Sequence, residues 1–428
     1  MKVSVIGMGY VGLVATCALA NSGHEVIGIE KDVNKLTKLR QGKCPIFEQG
    51  LDELLQKLIS ENRIAFSSGI EAVNGSDIVM LAVGTPAMPN GRVDLSQVYG
   101  VVSELVKVLD TPTILVMKST VPPGTGESIC QRYLKNTKVP IAYISNPEFL
   151  REGQALKDWY YPDRIVIGGD DDSAIEQVKR LYGDIDAPIL VMGITSAEMV
   201  KYASNAFLAT KISFINEIAN LCELVGADID EVAPAVGMDS RIGKEFLRAG
   251  LGYGGSCFPK DTKGLDYVSV FKGYNFRLLK AVIEVNTNQR IRAVRKLERA
   301  LDGLAGKHVA ILGLAFKPGT DDIREAPSLD IIPLLLVEGA TVTAYDPLAT
   351  ENARKVLPPD VKFADNPYDC IEGAQAVLLA TEWPEFSQLD WLQARTRMKS
   401  PYVILDGRNA LEKDELNRLG FQYYGIGR

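Results

Sequence analysis

A single thiol lies in the glycine-rich stretch Gly252-Tyr253-Gly254-Gly255-Ser256-Cys257-Phe258-Pro259-Lys260-Asp261. Glycines allow backbone conformations and close ligand approach that other residues forbid. The ammonium of Lys260 favours the thiolate, which is the reactive form of cysteine. These residues indicate a nucleophile that attacks a carbonyl carbon. The alternative is a glycine turn around a buried, inert thiol, because free cysteine is among the most buried residue types.

A dinucleotide-binding pattern opens the chain. Gly7-Met8-Gly9-Tyr10-Val11-Gly12 follows the strand-like Val3-Ser4-Val5-Ile6 and precedes a helix-forming run. In such turns the backbone approaches a pyrophosphate, and the helix N-terminus attracts its negative charge. Glu30 follows at about the 20-residue distance where an acid accepts the ribose hydroxyls, and it would repel the 2′-phosphate of NADP. The pattern predicts NAD as the cofactor. A hydride acceptor together with a nucleophilic Cys257 indicates an oxidation that passes through a covalent carbonyl adduct.

Composition excludes several other classes. Of the 428 residues, 46% are hydrophobic and 24% are charged, and the net charge is −7. This balance argues against a nucleic-acid partner, and no 18-residue apolar run predicts a membrane span. The six cysteines are scattered without a CxxC pair, which fits reduced thiols. We predict a soluble, cytoplasmic protein with a small-molecule substrate.

The chain is also poor in histidine. Its two histidines, His24 and His308, form no cluster with zinc-ligand spacing, so we predict no metal site. The base of the reaction must then be a lysine, a carboxylate or an activated water.

Alternating strands and helices predict an α/β fold. Apolar runs at residues 77–83, 113–117 and 141–144 each end in polar residues, and such strand ends are where open α/β sheets bind ligands. We predict two Rossmann-like, doubly wound domains joined by a long central helix and a helical dimerisation region. The predicted boundaries are 1–196 for NAD binding, 197–300 for the helical region and 301–428 for the second Rossmann-like domain, which binds the substrate.

One long helix is predicted from Ala197 to about Val225. Its apolar residues surround the helix, which indicates burial on several sides, between domains or between subunits. Lys201 and Asn205 interrupt it with i, i+4 spacing and share one face. A cation in an apolar helix needs a partner, so this pair is a candidate functional site.

The last third of the chain repeats the organisation of the first. Residues 309–313 and 339–346 resemble the first two strands, but the turn Gly313-Leu314-Ala315-Phe316-Lys317-Pro318-Gly319 lacks the second glycine. Lys317 and Arg324 suit phosphate contacts from side chains. We predict that this half binds a nucleotide-bearing substrate; the alternative is a domain for packing or dimerisation only.

The motifs, taken in order, resemble those of the nucleotide-sugar dehydrogenases, the UDP-glucose/GDP-mannose dehydrogenase family. The resemblance covers nearly the whole chain. It rests on residues 7–12, 45–51, 83–86, 119–125, 146–153, 252–261 and 313–325. It implies a four-electron oxidation of a sugar C6 alcohol to a carboxylate with two NAD+ in succession, and it favours UDP-glucose as the substrate and UDP-glucuronate as the product.

The resemblance also implies catalytic roles. Cys257 would trap the aldehyde as a thiohemiacetal, which a second hydride transfer converts to a thioester. Lys201 would stabilise oxyanions, and Asn205 and Asp261 would position water or assist proton transfer. Glu148 would be the base of thioester hydrolysis, with Thr120 holding that water. The base of the first step stays open between Lys201 and a water bound to Asp261.

Binding residues follow from the same resemblance. The implied NAD contacts are Gly7, Gly9, Tyr10, Val11, Gly12, Glu30, Lys35, Thr85, Thr120, Glu152, Lys260 and Arg324. The implied substrate contacts are Phe149, Leu150, Arg151, Glu152, Lys201, Asn205, Phe246, Leu247, Arg248, Ala249, Gly250, Gly254 and Lys317. Arg241 would reach the sugar bound in a neighbouring subunit, which implies a homodimer built on the long helix.

Three other functions stay open from the residues alone. The same machinery would serve a GDP-mannose or UDP-N-acetylmannosamine dehydrogenase. A two-electron hydroxyacid dehydrogenase would use the helical Lys201 and Asn205 without the thiol. A non-enzymatic NAD-binding redox sensor would use Cys257 as its sensing group.

Overall fold

The computed structural model describes every residue from Met1 to Arg428. The contacts within the chain divide it into two compact units, residues 1–204 and 205–428, and each unit is described by itself. The predicted three-part division at 196 and 300 stays a prediction.

The first unit is built on an eight-stranded sheet. Its order is β3-β2-β1-β4-β5-β6-β7-β8, and every neighbouring pair is parallel except β6 and β7. The strands are β1 Lys2–Ile6, β2 Glu25–Ile29, β3 Ile64–Ser67, β4 Ile78–Leu81, β5 Thr113–Met117, β6 Ile141–Ser145, β7 Ile165–Gly168 and β8 Ile189–Met192. All residues of β4 and β5 are buried, as expected for parallel strands covered on both faces.

Helices cover both faces of this sheet. They are α1 Tyr10–Asn21, α2 Val33–Arg40, α3 Leu51–Ser60, α4 Ser96–Val108, α5 Thr125–Ile129, α6 Ala155–Tyr160 and α7 Asp172–Arg180, with a 3₁₀ turn at Ile70–Val73 and a π turn at Cys130–Leu134. One core cluster contains Val14 of α1 and Leu55 of α3, and a separate cluster contains Val98 and Val102 of α4. The two clusters lie on opposite faces, so the sheet is doubly wound.

The second unit is built on a six-stranded, fully parallel sheet of order β11-β10-β9-β12-β13-β14. Its strands are β9 His308–Leu312, β10 Thr341–Tyr345, β11 Lys362–Phe363, β12 Ala376–Leu379, β13 Val403–Asp406 and β14 Gln422–Tyr424. This is the 3-2-1-4-5-6 order of a Rossmann sheet. The predicted fold class, α/β with two Rossmann-like domains, is confirmed.

A long helix, α8, runs from Ile194 to Val225 and therefore begins three residues before the predicted start. The helices after it are α9 Ile229–Gly237, α10 Phe258–Phe271, α11 Arg277–Leu301, α12 Pro327–Val337, α13 Thr350–Arg354, α14 Pro367–Ile371, α15 Pro384–Ser387, α16 Trp391–Arg397 and α17 Lys413–Arg418. Ala209, Ile215 and Ala219 of α8 are fully buried, whereas Phe207 and Phe214 are more than half exposed. The apolar residues around this helix are thus covered on one side only within the chain.

None of the helices combines the length and apolar character needed to cross a membrane. The cytoplasmic location stays a prediction.

Candidate active site

The glycine turn of the first unit joins β1 to α1. A Cβ on Gly12 would lie 1.8 Å from the carbonyl oxygen of Gly7, so the packing of helix on turn requires glycine there. Gly7 itself has a φ of +94°. A Cβ on Gly9, in contrast, would meet nothing within 4 Å. Gly9 therefore leaves the backbone open to a ligand at the N-terminus of α1, where the helix favours an anion.

Glu30 lies beside this turn. Its Oε2 accepts a hydrogen bond from the N–H of Met8 (3.2 Å), and its Oε1 accepts one from the N–H of Asp32 (2.9 Å). The half-buried carboxylate stands at the end of β2, next to β1, where an acid can accept the hydroxyls of a ribose. Asp32 caps α2 by accepting from Asn34 and Lys35 (2.8 and 3.0 Å), which places Lys35 in the first turn of that helix.

Tyr10 fixes the start of α1 to two loops. Its hydroxyl donates to the carboxylate of Glu48 and accepts from the N–H of Gly153. Glu48 is buried and also accepts from the N–H of Leu156 (3.3 Å). The half-buried Val11 lies in the same first turn of α1. The role of Glu48 in ordering the turn that contains Gly153 is not evident from the sequence.

The ends of β4 and β5 are joined by hydrogen bonds. The Thr85 hydroxyl donates to the carbonyl of Thr120 (2.9 Å), and the Ser119 hydroxyl donates to the carbonyl of Val83 (2.7 Å). The predicted site residues Thr85 and Thr120 are thus neighbours at the carboxyl edge of the sheet.

A buried ion pair stands at the same edge. The Lys201 ammonium lies 2.9 Å from Oε1 of Glu148, and the two side chains are 5% and 6% exposed. Burial alone would raise the pKa of Glu148, but the charge and hydrogen bond of Lys201, the N–H of Leu150 and the charge of Lys118 together lower it. Glu148 is therefore ionised, and it is the partner that the sequence analysis required for Lys201.

Phe149 lies between two cations. The Lys201 ammonium is 5.3 Å and the Arg164 guanidinium 3.9 Å from the centre of its ring. Arg164 also donates to the hydroxyl of Ser204 (3.2 Å). Arg164 was not among the predicted site residues, although cation–π contacts of this kind orient an aromatic ring.

Arg151 makes a bidentate contact with Asp158. Its Nη2 lies 2.6 Å from Oδ1 and its Nε 3.0 Å from Oδ2, and its N–H donates to Oδ2 (2.8 Å). Glu152 is half-buried in the same turn. The substrate contact of Arg151 stays a prediction, and its pairing with Asp158 was not among the expectations from the sequence.

In the second unit, α11 holds the glycine loop that precedes the thiol. Asn286 accepts from the N–H of Tyr253 (2.7 Å) and donates to its carbonyl (3.1 Å), and Arg290 donates to the same carbonyl (3.0 Å). A Cβ on Gly254 would lie 2.4 Å from the carbonyl oxygen of Glu325. The loop thus has one conformation fixed by buried polar side chains.

Cys257 is the N-cap residue of α10 and lies directly before its first residue, Phe258. The carbonyl of Cys257 accepts from the N–H of Asp261 (2.9 Å), and its Sγ lies 3.6 Å from the hydroxyl of Ser256. A helix N-terminus favours negative charge, so this position suits a thiolate.

The other thiols lie in different surroundings. Burial raises the pKa of Cys17 to about 12 and that of Cys130 to about 11, and it also raises the pKa of Cys44 and Cys370. These cysteines are thiols at neutral pH. The position of Cys257 at a helix start distinguishes it as the candidate nucleophile.

Asp261 lies one turn into α10 and is only 1% exposed. It accepts from the side-chain amide of Asn205 (2.6 Å) and from the ammonium of Lys260. The structure therefore places Asn205, Lys260 and Asp261 beside one another. All three are predicted site residues. A water held by Asp261 would have a fixed orientation.

The segment 246–250 is rigid. Phe246 has a φ of +64°, which is unusual for a bulky residue, and its ring packs edge-on against Phe258 with centres 6.0 Å apart. Leu247, Ala249 and Gly250 are buried, and the exposed Arg248 donates to the carbonyl of Asn409 (3.3 Å). Strained backbone of this kind concentrates at binding sites.

Three predicted cations of the second unit have partners within that unit. Arg241 is 87% exposed and pairs with Asp239 (2.6 Å). Arg324 pairs with Asp322 (2.7 Å), and the Lys317 ammonium lies 5.4 Å from the ring centre of Phe316.

Sequence reasoning missed several residues that hold the site. Lys118 and Asn146 lie two residues before the predicted Thr120 and Glu148, respectively, and are buried. Asn286 and Arg290 lie on the core side of α11, and their i, i+4 spacing within buried positions was a detectable signal.

The fold and the two sets of residues define a class. A dinucleotide turn, a thiol at a helix start and a lysine–carboxylate pair on Rossmann-type units are typical of an NAD-dependent dehydrogenase. Comparison with known proteins identifies the family: the chain belongs to the UDP-glucose/GDP-mannose dehydrogenase family. The family's NAD binding domain matches residues 1–186, its central domain 195–288 and its UDP binding domain 310–413.

Individual relatives cover the whole chain. It is 44% identical over 431 residues to UDP-glucose 6-dehydrogenase TuaD of Bacillus subtilis (strain 168), covering 100% of this chain and 93% of the relative. Among solved structures, a UDP-glucose dehydrogenase from the archaeon Pyrobaculum islandicum is 41% identical with a TM-score of 0.92, covering 100% and 97% of the two chains. A UDP-D-ManNAc dehydrogenase from Pyrococcus horikoshii has a TM-score of 0.90 at 28% identity, covering 100% and 99%.

Proposed function

We propose that this protein oxidises the C6 alcohol of UDP-glucose to the carboxylate of UDP-glucuronate with two NAD+. The observation that carries the proposal is the placement of Cys257 at the start of α10, behind a glycine loop fixed by α11. The 44% identity to a UDP-glucose 6-dehydrogenase over the whole chain supports this substrate. The match to UDP-D-ManNAc dehydrogenase is much weaker, at 28%.

The residues of the first unit fit NAD. The open backbone at Gly9 and the start of α1 would receive the pyrophosphate, and Glu30 would accept the ribose hydroxyls. When bound, NAD+ supplies the hydride acceptor of each oxidation. The further proposed contacts are Gly7, Tyr10, Val11, Gly12, Lys35, Thr85, Thr120, Glu152, Lys260 and Arg324.

Cys257 would act on the aldehyde formed by the first oxidation. Its sulfur adds to the carbonyl carbon, and the carbonyl oxygen becomes the hydroxyl of a thiohemiacetal. Loss of the hydride from that carbon to NAD+, and of the proton from the hydroxyl oxygen, gives a thioester. Water then replaces sulfur at the carbon, so that the carboxylate leaves and the thiol is restored. Each sugar thereby loses four electrons and gains one oxygen atom from water.

The other polar residues would control protons and charge. Lys201 would stabilise the oxyanion of each addition step, and the ionised Glu148 would take the proton of the hydrolytic water held by Thr120. Asn205 and Asp261 would orient water, because the 2.6 Å hydrogen bond between them fixes both side chains. The proton of the substrate alcohol goes to Lys201 or to a water on Asp261.

The resemblance to the family also assigns residues that bind the sugar nucleotide. We assign the substrate contacts to Phe149, Leu150, Arg151, Glu152, Phe246, Leu247, Arg248, Ala249, Gly250, Gly254 and Lys317. The match of residues 310–413 to a UDP binding domain supports the use of the second Rossmann-like domain for the nucleotide.

The exposed apolar face of α8 supports a homodimer. Phe207, Phe214 and Leu221 recur every seven residues and are 66%, 52% and 53% exposed. Such a stripe is normally covered by a partner. The exposed Arg241 would then reach the sugar bound by the neighbouring subunit. Light scattering should give twice the mass of one chain, and the Phe214→Glu protein should give a smaller mass; a wild-type monomer at micromolar concentration would contradict the dimer.

The stoichiometry of NADH tests the function. Each UDP-glucose should yield two NADH, and Cys257→Ala should lower formation of the acid by at least about 10³-fold, as removal of a covalent nucleophile does. Cys44→Ala is a matched control, since burial keeps that thiol protonated, and it should retain activity. One NADH per sugar, or full acid formation without the Cys257 sulfur, would overturn the proposal. Faster turnover of GDP-mannose or UDP-N-acetylmannosamine would reassign the substrate.

A further inference from the structure

Lys118 is a buried cation outside the set of residues used above. It directly follows β5, its N–H donates to the carbonyl of Leu81 (2.9 Å), and the residue is 5% exposed. A lysine is rarely buried to this extent unless it is paired, because burial removes the hydration of its charge.

The contacts of the Lys118 ammonium are unusual because they include no carboxylate. It donates to Oδ1 of Asn146 (3.0 Å) and to the hydroxyl of Tyr182 (3.1 Å). It also lies 5.3 Å from the ring centre of Trp159 and 5.5 Å from that of Tyr182. Two aromatic rings and one amide oxygen thus enclose the cation.

The amide of Asn146 has its orientation fixed. Its nitrogen donates to the carbonyl of Val166 (2.8 Å), so its oxygen must face Lys118 and Tyr182, whose hydroxyl also donates to it. Asn146 precedes Pro147 and Glu148, and Lys118 precedes Ser119 and Thr120. The bond between Lys118 and Asn146 therefore joins the two strand ends that present Thr120 and Glu148.

Three charges share this buried edge. The Lys118 charge acts on Glu148 from β5 and the Lys201 charge acts on it from α8, while the two cations repel each other. Tyr182, packed on Lys118 after α7, stays protonated because burial raises its pKa. Loss of either cation would leave Glu148 with less compensation for its burial.

We propose that Lys118 is a positioning residue that joins the ends of β5 and β6 and keeps the Glu148 carboxylate ionised for hydrolysis. This inference rests on the proposed function, because it concerns the base of that reaction.

The cost of burying Lys118 supports a functional reason for its presence. Burial, opposed by Glu148 and reinforced by Lys201, lowers the pKa of Lys118 from its ordinary 10.5 to about 7. Between these two values the unfolded chain binds a proton that the folded protein lacks, so this group makes stability rise with pH from about 7 to about 10. At pH 6 Lys118 is charged, and the burial of its charge lowers the stability of the folded protein. A residue kept only for stability would not have this effect.

The test is the pH profile of kcat for UDP-glucuronate formation in Lys118→Met. The acidic limb should move to higher pH by about one unit, because a neighbouring charge shifts a carboxyl pKa by that order. The variant should also lose the rise in unfolding temperature between pH 7 and 10. Tyr182→Phe is the matched control: it removes a hydrogen bond of the same cluster without removing charge, and its limb should stay in place.

Four outcomes would overturn the inference. The acidic limb of Lys118→Met could coincide with that of the wild type, or Tyr182→Phe could move the limb equally. A third outcome is that neither Lys118→Met nor Lys118→Gln folds, which would make Lys118 a purely structural residue. A limb that instead disappears in Glu198→Gln would belong to Glu198, whose pKa burial raises to about 7. Failure of the wild type to oxidise any sugar nucleotide would refute the proposed function, which is a separate result.

Discussion

The turns after β1 and β9 occupy the same place in two Rossmann-type sheets, yet they have different surroundings. Gly7 and Gly313 both have positive φ, and both donate to the end of the neighbouring strand, to Ile29 (2.9 Å) and Tyr345 (2.8 Å) respectively. Two residues on, Gly9 faces open space. Its counterpart, Ala315, is 1% exposed.

The acids that follow the second strands differ in the same way. Glu30 accepts two hydrogen bonds and stays half-buried, whereas Asp346 is 2% exposed. Asp346 accepts from the N–H groups of Leu314, Ala315, Leu348 and Ala349 and from the indole of Trp383, all between 2.7 and 3.0 Å. An acid with so many internal donors cannot also bind a ribose. Identical strand order therefore gives an open turn in one unit and a closed one in the other.

Removing the Asp346 carboxylate should have the largest effect on this contrast. Asp346→Ala leaves five donors without this acceptor, three of them in buried hydrogen bonds, so we expect a loss of roughly 3 kcal/mol or more in the free energy of unfolding. NAD affinity should be unchanged at temperatures where the variant is folded. Chemical denaturation and NAD titration measure the two quantities.

Glu30→Ala is the matched variant in the open turn. It should weaken NAD binding and cost less stability than Asp346→Ala, because fewer donors lose their acceptor. Equal stability losses from the two variants, with no change in NAD affinity, would remove the functional distinction between the acids.

Filling the open turn should have a smaller effect, on binding alone. Gly9→Val adds a side chain where the fold leaves space, so the protein should fold with nearly unchanged stability. NAD affinity should fall roughly 100-fold, or about 2.7 kcal/mol, because the backbone could no longer approach the pyrophosphate. Ala315→Gly is the control in the closed turn and should leave NAD affinity as it is. Unimpaired binding of NAD by Gly9→Val would locate the cofactor elsewhere.

Much of this organisation is predictable from local pattern. The open turn follows from the glycine spacing between a strand and a helix, and the need of Lys201 for a partner follows from a cation in an apolar helix. The difference of the second turn is also predictable, because Ala315 stands where the dinucleotide pattern has its second glycine.

The remainder depends on contacts distant in the chain. Lys118 meets Tyr182 64 residues away, and Asn286 meets Tyr253 33 residues away. No period or short motif encodes such pairs, because they arise only once the sheet and its covering helices are packed. The pairing of Arg151 with Asp158 is closer in sequence, but a salt bridge and a substrate contact use the same residue types.

The closed turn at Ala315 has a kinetic consequence. A chain with a single dinucleotide turn must release one reduced cofactor and admit a fresh one halfway through a double oxidation. A free intermediate would diffuse away during that exchange, whereas one bonded to sulfur stays tethered. Because Ala315 closes the second turn, only the first turn can receive a cofactor. The proposed bond to Cys257 would hold the intermediate in place while that cofactor is exchanged.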